Sequence, residues 1–491
     1  MAGTEAFIDS DLASVFEMIP DEKTGKPKRT LLTTLFWGDS VRVTGKRDGF
    51  HVLDFTTREY DAEKKYYVWR KHEALMSGKV KLRDSSVLKV RFVDVGQGDG
   101  AIIESPDGQI VVLDGGEEDN LYNYFTAAWA YRLRTGPVEL AAIVVSHGDA
   151  DHFSGLTRLV MGRGPKNGPP VATKRVFHNG LAKRPTSAGT QMLGKTAKVG
   201  SATYIVGLED DLLSVDDKDL NRPFLEWKAA LQRLKKGTTG FKMRRLEYGD
   251  GDAFDFLADE DIEVDVLGPI TEVVKGKPAL PMLREPGGGS LSISHTINGH
   301  SVVLRLTYGN VRLLFGADLN EESEQRLLAR TRVDGVSLTS EVLKVPHHGS
   351  ADFSPAVLDA IRPVVSVISS GDESGAKEYI HPRAGLVGAL GKYSRATVER
   401  PLLYVTEMVA FFRRIGRASV HGFSKTGEEL PTGERVANAY AKSSFGIVHI
   451  RTDGERVLVA TPSGKFDQKE AYAFRVGSNG SIEFEETPEV L

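Results

Sequence analysis

A mixed α+β sandwich, two β-sheets face to face with helices outside them, is the fold class this sequence predicts, with a small β module ahead of it. Three observations predict it. From Val87 onward strands dominate, and helices are interleaved singly rather than in strict βαβ alternation. LAAIVVS, residues 140–146, is a continuous apolar run of the kind a sheet covered on both faces requires. SVVLRLTYGNVRLLFGAD, residues 301–318, splits into two apolar halves about Tyr308-Gly309-Asn310, which reads as a hairpin.

The elements follow in order. In residues 1–85, LLTTLFWGDSVRVTGKRDGFHVLDF alternates apolar and polar positions, with turns at Trp37-Gly38-Asp39 and Arg47-Asp48-Gly49. This resembles a bacterial SH3-like barrel, and KHEALMSGKVKLRDSS after it reads as a polar connector. LKVRFVDV, AIIES and QIVVLDGG are strands, and GLTRLVMG opens a helix behind the apolar run. Residues 162 to about 260 read as an insertion carrying one amphipathic helix, FLEWKAALQRLKK. Strand IEVDVLGP and the hairpin come next. Helix NEESEQRLLAR, strand EVLKVPHHGS, helix SPAVLDAIRP, strand VVSVISSG and helix HPRAGLVGALGK then alternate. PLLYVTE and FGIVHIRTDGERVLVAT are late strands, with an irregular stretch expected from about 414 to 442. The organisation expected is a β module over 1–85, a larger α+β domain over 86–461 with a basic insertion at about 162–260, and a β extension or tail over 462–491.

Composition narrows the chemistry. At 491 residues, 40% hydrophobic and 26% charged, the chain has ordinary globular composition and room for a sizeable core. It has no cysteine, which excludes disulfides, thiolate nucleophiles and sulfur-ligated metal, so any metal must be held by nitrogen and oxygen. No stretch approaches eighteen consecutive apolar residues, and the acidic N-terminus lacks the pattern of a secretory signal, so a cytoplasmic, non-membrane protein is expected. The net charge of -4 carries no global nucleic-acid signature. Charge is nonetheless uneven: residues 162–200 hold Arg163, Lys166, Lys174, Arg175, Lys183, Arg184, Lys195 and Lys198 with no acid among them. A second basic patch runs from Arg233 to Arg245, and an acidic run from Glu209 to Asp219 lies between the two.

SHGDADHFSG, residues 146–155, places His147, Asp149, Asp151 and His152 where a buried strand ends. Imidazole and carboxylate on a loop held by a rigid strand suit zinc, manganese, iron or magnesium. Side chains one and two apart fan out from an extended loop, so this one can serve two metals side by side. Of only 12 histidines in the chain, His300, His347, His348 and His381 also fall at or beside strand ends, as does Asp318. Recurrence at element boundaries predicts convergence on one site.

FVDVGQGDGAIIESPDGQIVVLDGG, VVSHGDADHFSGL, VVLRLTYGNVRLLFGAD, LKVPHHGS and IHP occur in that order between residues 88 and about 461. This stretch resembles the metallo-β-lactamase fold, an αββα sandwich, and within it the hydrolase domain of the competence DNA-uptake channel family (ComEC-like), here without the membrane channel. The resemblance implies two divalent ions, zinc or manganese. His147, Asp149 and His300 would hold the first, and Asp151, His152 and His381 the second, with Asp318 bridging them. It further implies that Asp114 orients the histidine loop, and that Asp94, Gln97 and Asp99 lie near the same mouth. His347 and His348 would contact phosphate or protonate the leaving oxygen, and Ser350, after Gly349, would hydrogen-bond substrate. Asp151 counts among the catalytic group together with His347 and His348. The sequence departs from the family at four places. Asp149 stands where many metallo-β-lactamase enzymes have histidine, though the competence branch shares the aspartate. His300 stands where the competence branch commonly has asparagine, FGAD replaces TGD, and GDESGAKEYIHP has lost an asparagine upstream of its His-Pro.

The activity these features imply is metal-dependent hydrolysis of phosphodiesters in a nucleic acid or nucleotide, with the basic segment flanking the metal loop as a strand-binding lip. Two alternatives stand beside it. One is hydrolysis of a small ester, lactone or thioester by the same metals. The other is a binding or defence component whose nuclease is latent until a protein partner docks, through the N-terminal module.

Overall fold

The computed structural model describes residues 3–21, 25–61, 66–162, 170–371, 381–395, 401–407, 411–419, 422–424, 437–444, 446–462, 470–485, 488, 490 and 491. Two large sheets form its centre. The first has ten strands. From one edge they are Lys242–Arg245, Arg175–His178, Ala142–Val145, Ile110–Leu113, Ala101–Glu104, Leu88–Val93, Ile447–Thr452, Arg456–Ala460, Ala471–Val476 and Ile482–Phe484. The second has six: Ile262–Gly268, Val303–Tyr308, Val311–Phe315, Val342–Lys344, Val365–Ile368 and Leu402–Val405. One apolar core lies between their inner faces and includes Phe92, Val144, Leu304, Leu313, Phe315, Val367 and Phe474.

Helices cover the outer faces. α1 (Asn120–Ala128), α2 (Ala150–Met161) and α3 (Arg222–Gly237) pack Phe125, Leu156, Phe224, Trp227 and Leu231 onto the ten-stranded sheet. α4 (Ile293–Gly299) is short and leads into the hairpin. α5 (Glu321–Asp334), α6 (Pro355–Ile361) and α7 (Ala384–Tyr393) put Leu327, Leu328, Leu358, Ile361, Leu386 and Leu390 on the six-stranded sheet. The layer order helix, sheet, sheet, helix is that of the expected sandwich. Local chemistry sets the helix limits. Asn221 caps α3 by accepting from Phe224 N at 3.1 Å with Pro223 in the first turn. Asn320 caps α5 in the same way, three glutamates follow it, and Gly335 at φ +69° ends it.

Several boundaries differ from expectation. Residues 4–83 form one seven-stranded antiparallel sheet, whose edge strands are Pro27–Phe36 and Leu82–Arg83. Nothing in its pairing marks it as an SH3-like barrel, and no pairing joins the two edges among the described residues. The expected connector from Lys71 is mostly strand, because Tyr66–Ser77 pairs along Phe50–Asp61 over its whole length. Nor does this sheet hang free. Leu12 and Phe36 pack on Ala460 and Ala471, Trp37 packs on Leu458 and Ala473, and buried Arg451 reaches Asp39 at 3.1 Å.

The segment 162–260 is only partly an insertion, since Arg175–His178 and Lys242–Arg245 extend the main sheet by parallel pairing. Residues 471–484 add two strands to the same sheet. The stretch expected to be irregular holds strands Phe411–Ser419, Gly422–Ser424 and Ala437–Ser444. No helix among the described residues is long and apolar enough to cross a membrane.

Candidate metal centre

The site is built where parallel strands end. Ile110–Leu113 and Ala142–Val145 run parallel in one sheet, and Val311–Phe315, Val342–Lys344 and Val365–Ile368 run parallel in the other. Their C-terminal ends deliver Asp114, His147, Asp318, His348 and Ser369 to one region. α2 begins at Ala150, so Asp151 and His152 stand on its first turn rather than on the extended loop that the spacing suggested. Two glycines allow this placement. A Cβ on Gly155 would lie 1.8 Å from Gly115 O, so only glycine lets α2 settle onto the Asp114-Gly115-Gly116 turn. Backbone bonds from Gly115 N to His152 O and from Gly155 N to Gly116 O, both 2.7 Å, fasten it there. On the facing loop, Gly98 has φ +111°, and a Cβ there would meet Asp151 O at 1.8 Å.

Three buried histidines share one arrangement. His152 Nδ1 sits 2.9 Å from Asp114 Oδ2, while Asp114 Oδ1 accepts from Ser146 N at 2.8 Å. His147 Nδ1 is 3.1 Å from Ser146 Oγ. His348 Nδ1 donates to Ser369 O at 3.0 Å and lies 3.3 Å from Asp99 Oδ1. With each Nδ1 engaged, every Nε2 turns toward Asp318: Oδ2 is 3.1 Å from that of His348, 3.4 Å from that of His152 and 4.0 Å from that of His147. Asp151 Oδ2 approaches His348 Nε2 at 3.8 Å, and Asp149 Oδ2 approaches His147 Nε2 at 4.0 Å. All three Nε2 atoms and Asp318 Oδ1 are buried without a hydrogen-bond partner.

This donor set fits a metal. A side chain held through Nδ1 with Nε2 bare and aimed at a carboxylate is the outer-sphere pattern of metal-binding histidines. Two groups of three can each close on an ion, His147–His152–Asp318 and Asp151–His152–His348, and two more, Asp99–Asp318–His348 and Asp99–Asp114–His152, overlap them. Charge couples these same groups to one another. Burial works to raise the Asp318 carboxyl, but His348 and His152 hold it well below the usual carboxylate range. Burial likewise presses His152 down, and the Asp318 and Asp114 carboxylates overrule it and hold the ring well above its ordinary value. His147 is pushed well down by burial and by His152 beside it.

The remaining expected residues divide. Asp99 lies under the site, ion-paired to the buried Lys344 ammonium, which also donates to Ala317 O at 3.0 Å. His347 and His348 both take left-handed φ, +49° and +53°, and this strained turn is what aims them at the mouth. Gly349, at φ +85°, allows Pro382 to approach so closely that a Cβ would meet it at 2.7 Å. His381 therefore comes near, its ring 6.2 Å from that of His347, but it joins none of the four groups. Asp94 serves the loop itself: its carboxylate accepts from Gly96 N at 3.1 Å and Gly446 N at 3.3 Å. Gln97 Oε1 is buried without a hydrogen-bond partner, and Ser350 Oγ accepts from Asp352 N at 3.2 Å.

His300 is a correction. Its ring turns away from the mouth and Nε2 bonds Pro281 O at 2.7 Å, among Leu267, Ile270 and Leu327, so it is not a member of the cluster. The reason is α4. The helix ends at Gly299, its last turn presents Asn298 to the site, and His300 falls on the opposite side as its C-cap. With its amide nitrogen toward the acceptors, Asn298 donates to Asp149 Oδ2 at 2.9 Å and accepts from His347 Nε2 at 3.3 Å. Asn298, Lys344 and Ser146 were not among the expected residues, and Lys183 was expected only as one charge of the basic lip.

The basic segment changes character in three dimensions. Arg184 pairs with Glu209 and Asp219, Arg244 with Asp250 and Asp252, and Arg245 with Asp210 and Glu247. The acidic run thus folds back onto the cations, while Lys174, Lys195 and Lys198 stay exposed. Arg163 and Lys166, and all of GDESGAKEYIHP between Gly371 and His381, lie outside the described residues.

No family model matches the chain, and a search of curated proteins found no significant match. Among solved structures it is similar to a metal-dependent hydrolase of the β-lactamase superfamily at 12% identity, over 65% of this chain and 95% of that one, with a TM-score of 0.30. It is also similar to a variant of the CmlA β-hydroxylase at 13% identity, over 66% of this chain and 52% of that one, with a TM-score of 0.28.

Proposed function

We propose that the chain is a metal-dependent hydrolase of phosphodiesters in a nucleic acid or nucleotide. One observation carries the metal-dependent part: three buried Nε2 atoms, each with its Nδ1 already engaged, converge on Asp318 with no hydrogen-bond partner of their own. A divalent ion held there supplies Lewis-acid polarisation of the scissile bond. His147, Asp149, His152 and Asp318 are suited to hold one ion, and Asp151 with His348 a second that shares His152 and Asp318. Zinc and manganese both accept such nitrogen and oxygen donors. Asp114 fixes the tautomer of His152, and Asp99 with Ser369 fixes His348. His347 and Asn298 edge the mouth beside Asp149, where each can hydrogen-bond a substrate oxygen. The phosphodiester reading rests on the ordered motifs from DVGQGD to HHGS and on a lysine at that edge.

The test joins metal analysis to an assay with single- and double-stranded DNA, RNA and bis(4-nitrophenyl) phosphate across manganese, magnesium and zinc. Wild type should bind metal, and at a hundredfold excess over Kd the fold should gain about 2.7 kcal/mol. Asp318→Ala and His147→Ala should lose both that gain and the cleavage. Cleavage by these variants equal to wild type, after full metal depletion, overturns the proposal.

A further inference from the structure

Resting on the phosphodiester reading, we propose that Lys183 is the residue that takes up the anionic oxygen of the substrate, released for that role when Asp149 turns to the metal. Lys183 is ion-paired with Asp149, their side chains 23% and 17% exposed, so the ammonium stands at the lip of the site and not in its floor. It is the segment's described cation whose ion-pair partner belongs to the site. Arg184, Arg244 and Arg245 are each held by carboxylates of the acidic run or of residues 247–252.

The backbone holds Lys183 in place from both sides. Asn179 Nδ2 donates to His300 O at 2.9 Å, Leu181 N to Asn179 Oδ1 at 3.0 Å, and Gly180 N to His178 Nδ1 at 3.1 Å. Leu181 and Ala182 are buried. On the far side, Asn221 N donates to Lys183 O at 3.0 Å and Arg184 N to Met192 O at 2.7 Å. A lysine so anchored is a fixed feature of the mouth rather than a solvated surface charge.

Charge supplies the rest. Asp149 has one negative charge and two claimants, the ammonium and a cation beside His147. Once a metal draws that carboxylate, Lys183 is left uncompensated in a partly desolvated mouth, where charge-assisted bonds are strong. A phosphodiester oxygen, singly negative, is its complement. Internal pairing of the neighbouring arginines favours capture of one phosphate at this point over an extended backbone track.

The test uses the full chain as wild type, Lys183→Met and Lys183→Arg, loaded with manganese. Calorimetry measures manganese affinity and then the binding of inorganic phosphate. Kinetics on bis(4-nitrophenyl) phosphate separate kcat from KM. Lys183→Met should raise manganese affinity, since one claimant on Asp149 is gone, yet weaken phosphate binding and raise KM roughly 10- to 100-fold, the scale of one charge-assisted hydrogen bond. Lys183→Arg should recover part of both. Phosphate binding by Lys183→Met equal to wild type overturns the proposal. So does a gain in manganese affinity with phosphate binding unmoved, which would make Lys183 a latch on Asp149. A wild type that binds phosphate through Lys183 but cleaves no phosphodiester sinks the proposed function and leaves the anion site standing.

Discussion

Asp114→Asn probes the site without touching a proposed ligand. The carboxylate is 1% exposed and accepts two bonds, from Ser146 N at 2.8 Å and from His152 Nδ1 at 2.9 Å. An amide has one oxygen for these two donors. If the oxygen stays with Ser146 N, the amide nitrogen faces His152 Nδ1, which must then accept, and the ring proton moves to Nε2. That nitrogen, 3.4 Å from Asp318 Oδ2, is the one a metal needs bare. Loss of such an orienting partner costs roughly 10- to 100-fold in metal affinity, or about 1.4 to 2.7 kcal/mol. If the amide turns over, two N–H groups confront each other at Ser146, and a buried unsatisfied donor costs about 1–3 kcal/mol of stability. Titration calorimetry with manganese, paired with urea unfolding of the metal-free chain, reads both branches. Wild-type affinity together with wild-type stability would refute the tautomer argument.

Two further substitutions test the frame around the site. Gly155→Ala sets helix propensity against contact: alanine gains about 1 kcal/mol in a helix interior, but its Cβ would stand 1.8 Å from the backbone oxygen of Gly115. Contact should win, so the variant should unfold at lower urea and bind metal more weakly. Higher stability would show that α2 can shift without harm. His178 carries an acid-sensitive part of the stability. Burial lowers its pKa to about 4 from 6.5, so the ring is neutral in the fold. Its contribution is complete above pH 6.5 and is lost as pH falls to about 4, amounting to about 3 kcal/mol. His178→Asn should flatten the decline in unfolding free energy over that window relative to wild type, and an unchanged slope would count against the assignment.

The sequence exposed most of the site because its parts are clustered in the chain. His147 to His152 sit within one turn after a buried strand, and Asp318 and His348 each follow a strand of their own. Short motifs at strand ends can be read without knowing which strands are neighbours. His300 could not be read correctly. Its placement depends on α4, seven residues whose sequence ISHTING has no apolar periodicity to announce a helix. Without that helix, His300 looks like one more histidine at a strand end, and Asn298 looks like a turn residue. Lys183 did not stand out from the eight cations of its segment, and Lys344 escaped, for another reason. A single lysine has no pattern, and their partners lie 34 and 245 residues away. The basic segment misled through linear reading, since the acids that neutralise its arginines follow it in the chain. In the N-terminal region alternation revealed strands, but seven-strand pairing rests on contacts that one hairpin does not encode.

The ten-stranded sheet also has a consequence for how the chain matures. Leu88–Val93, six buried residues, is the strand from which the Asp94–Asp99 loop springs, and one of its two neighbours is Ile447–Thr452. During synthesis this strand must wait with an open edge until the ribosome has delivered the residues through Thr452. Such an edge is a template for wrong pairing, and long-range closure of this kind is slow. The half-made protein is therefore exposed to aggregation along the seam that later supports the candidate metal centre, and chaperone dependence should track the time spent before Thr452 is made.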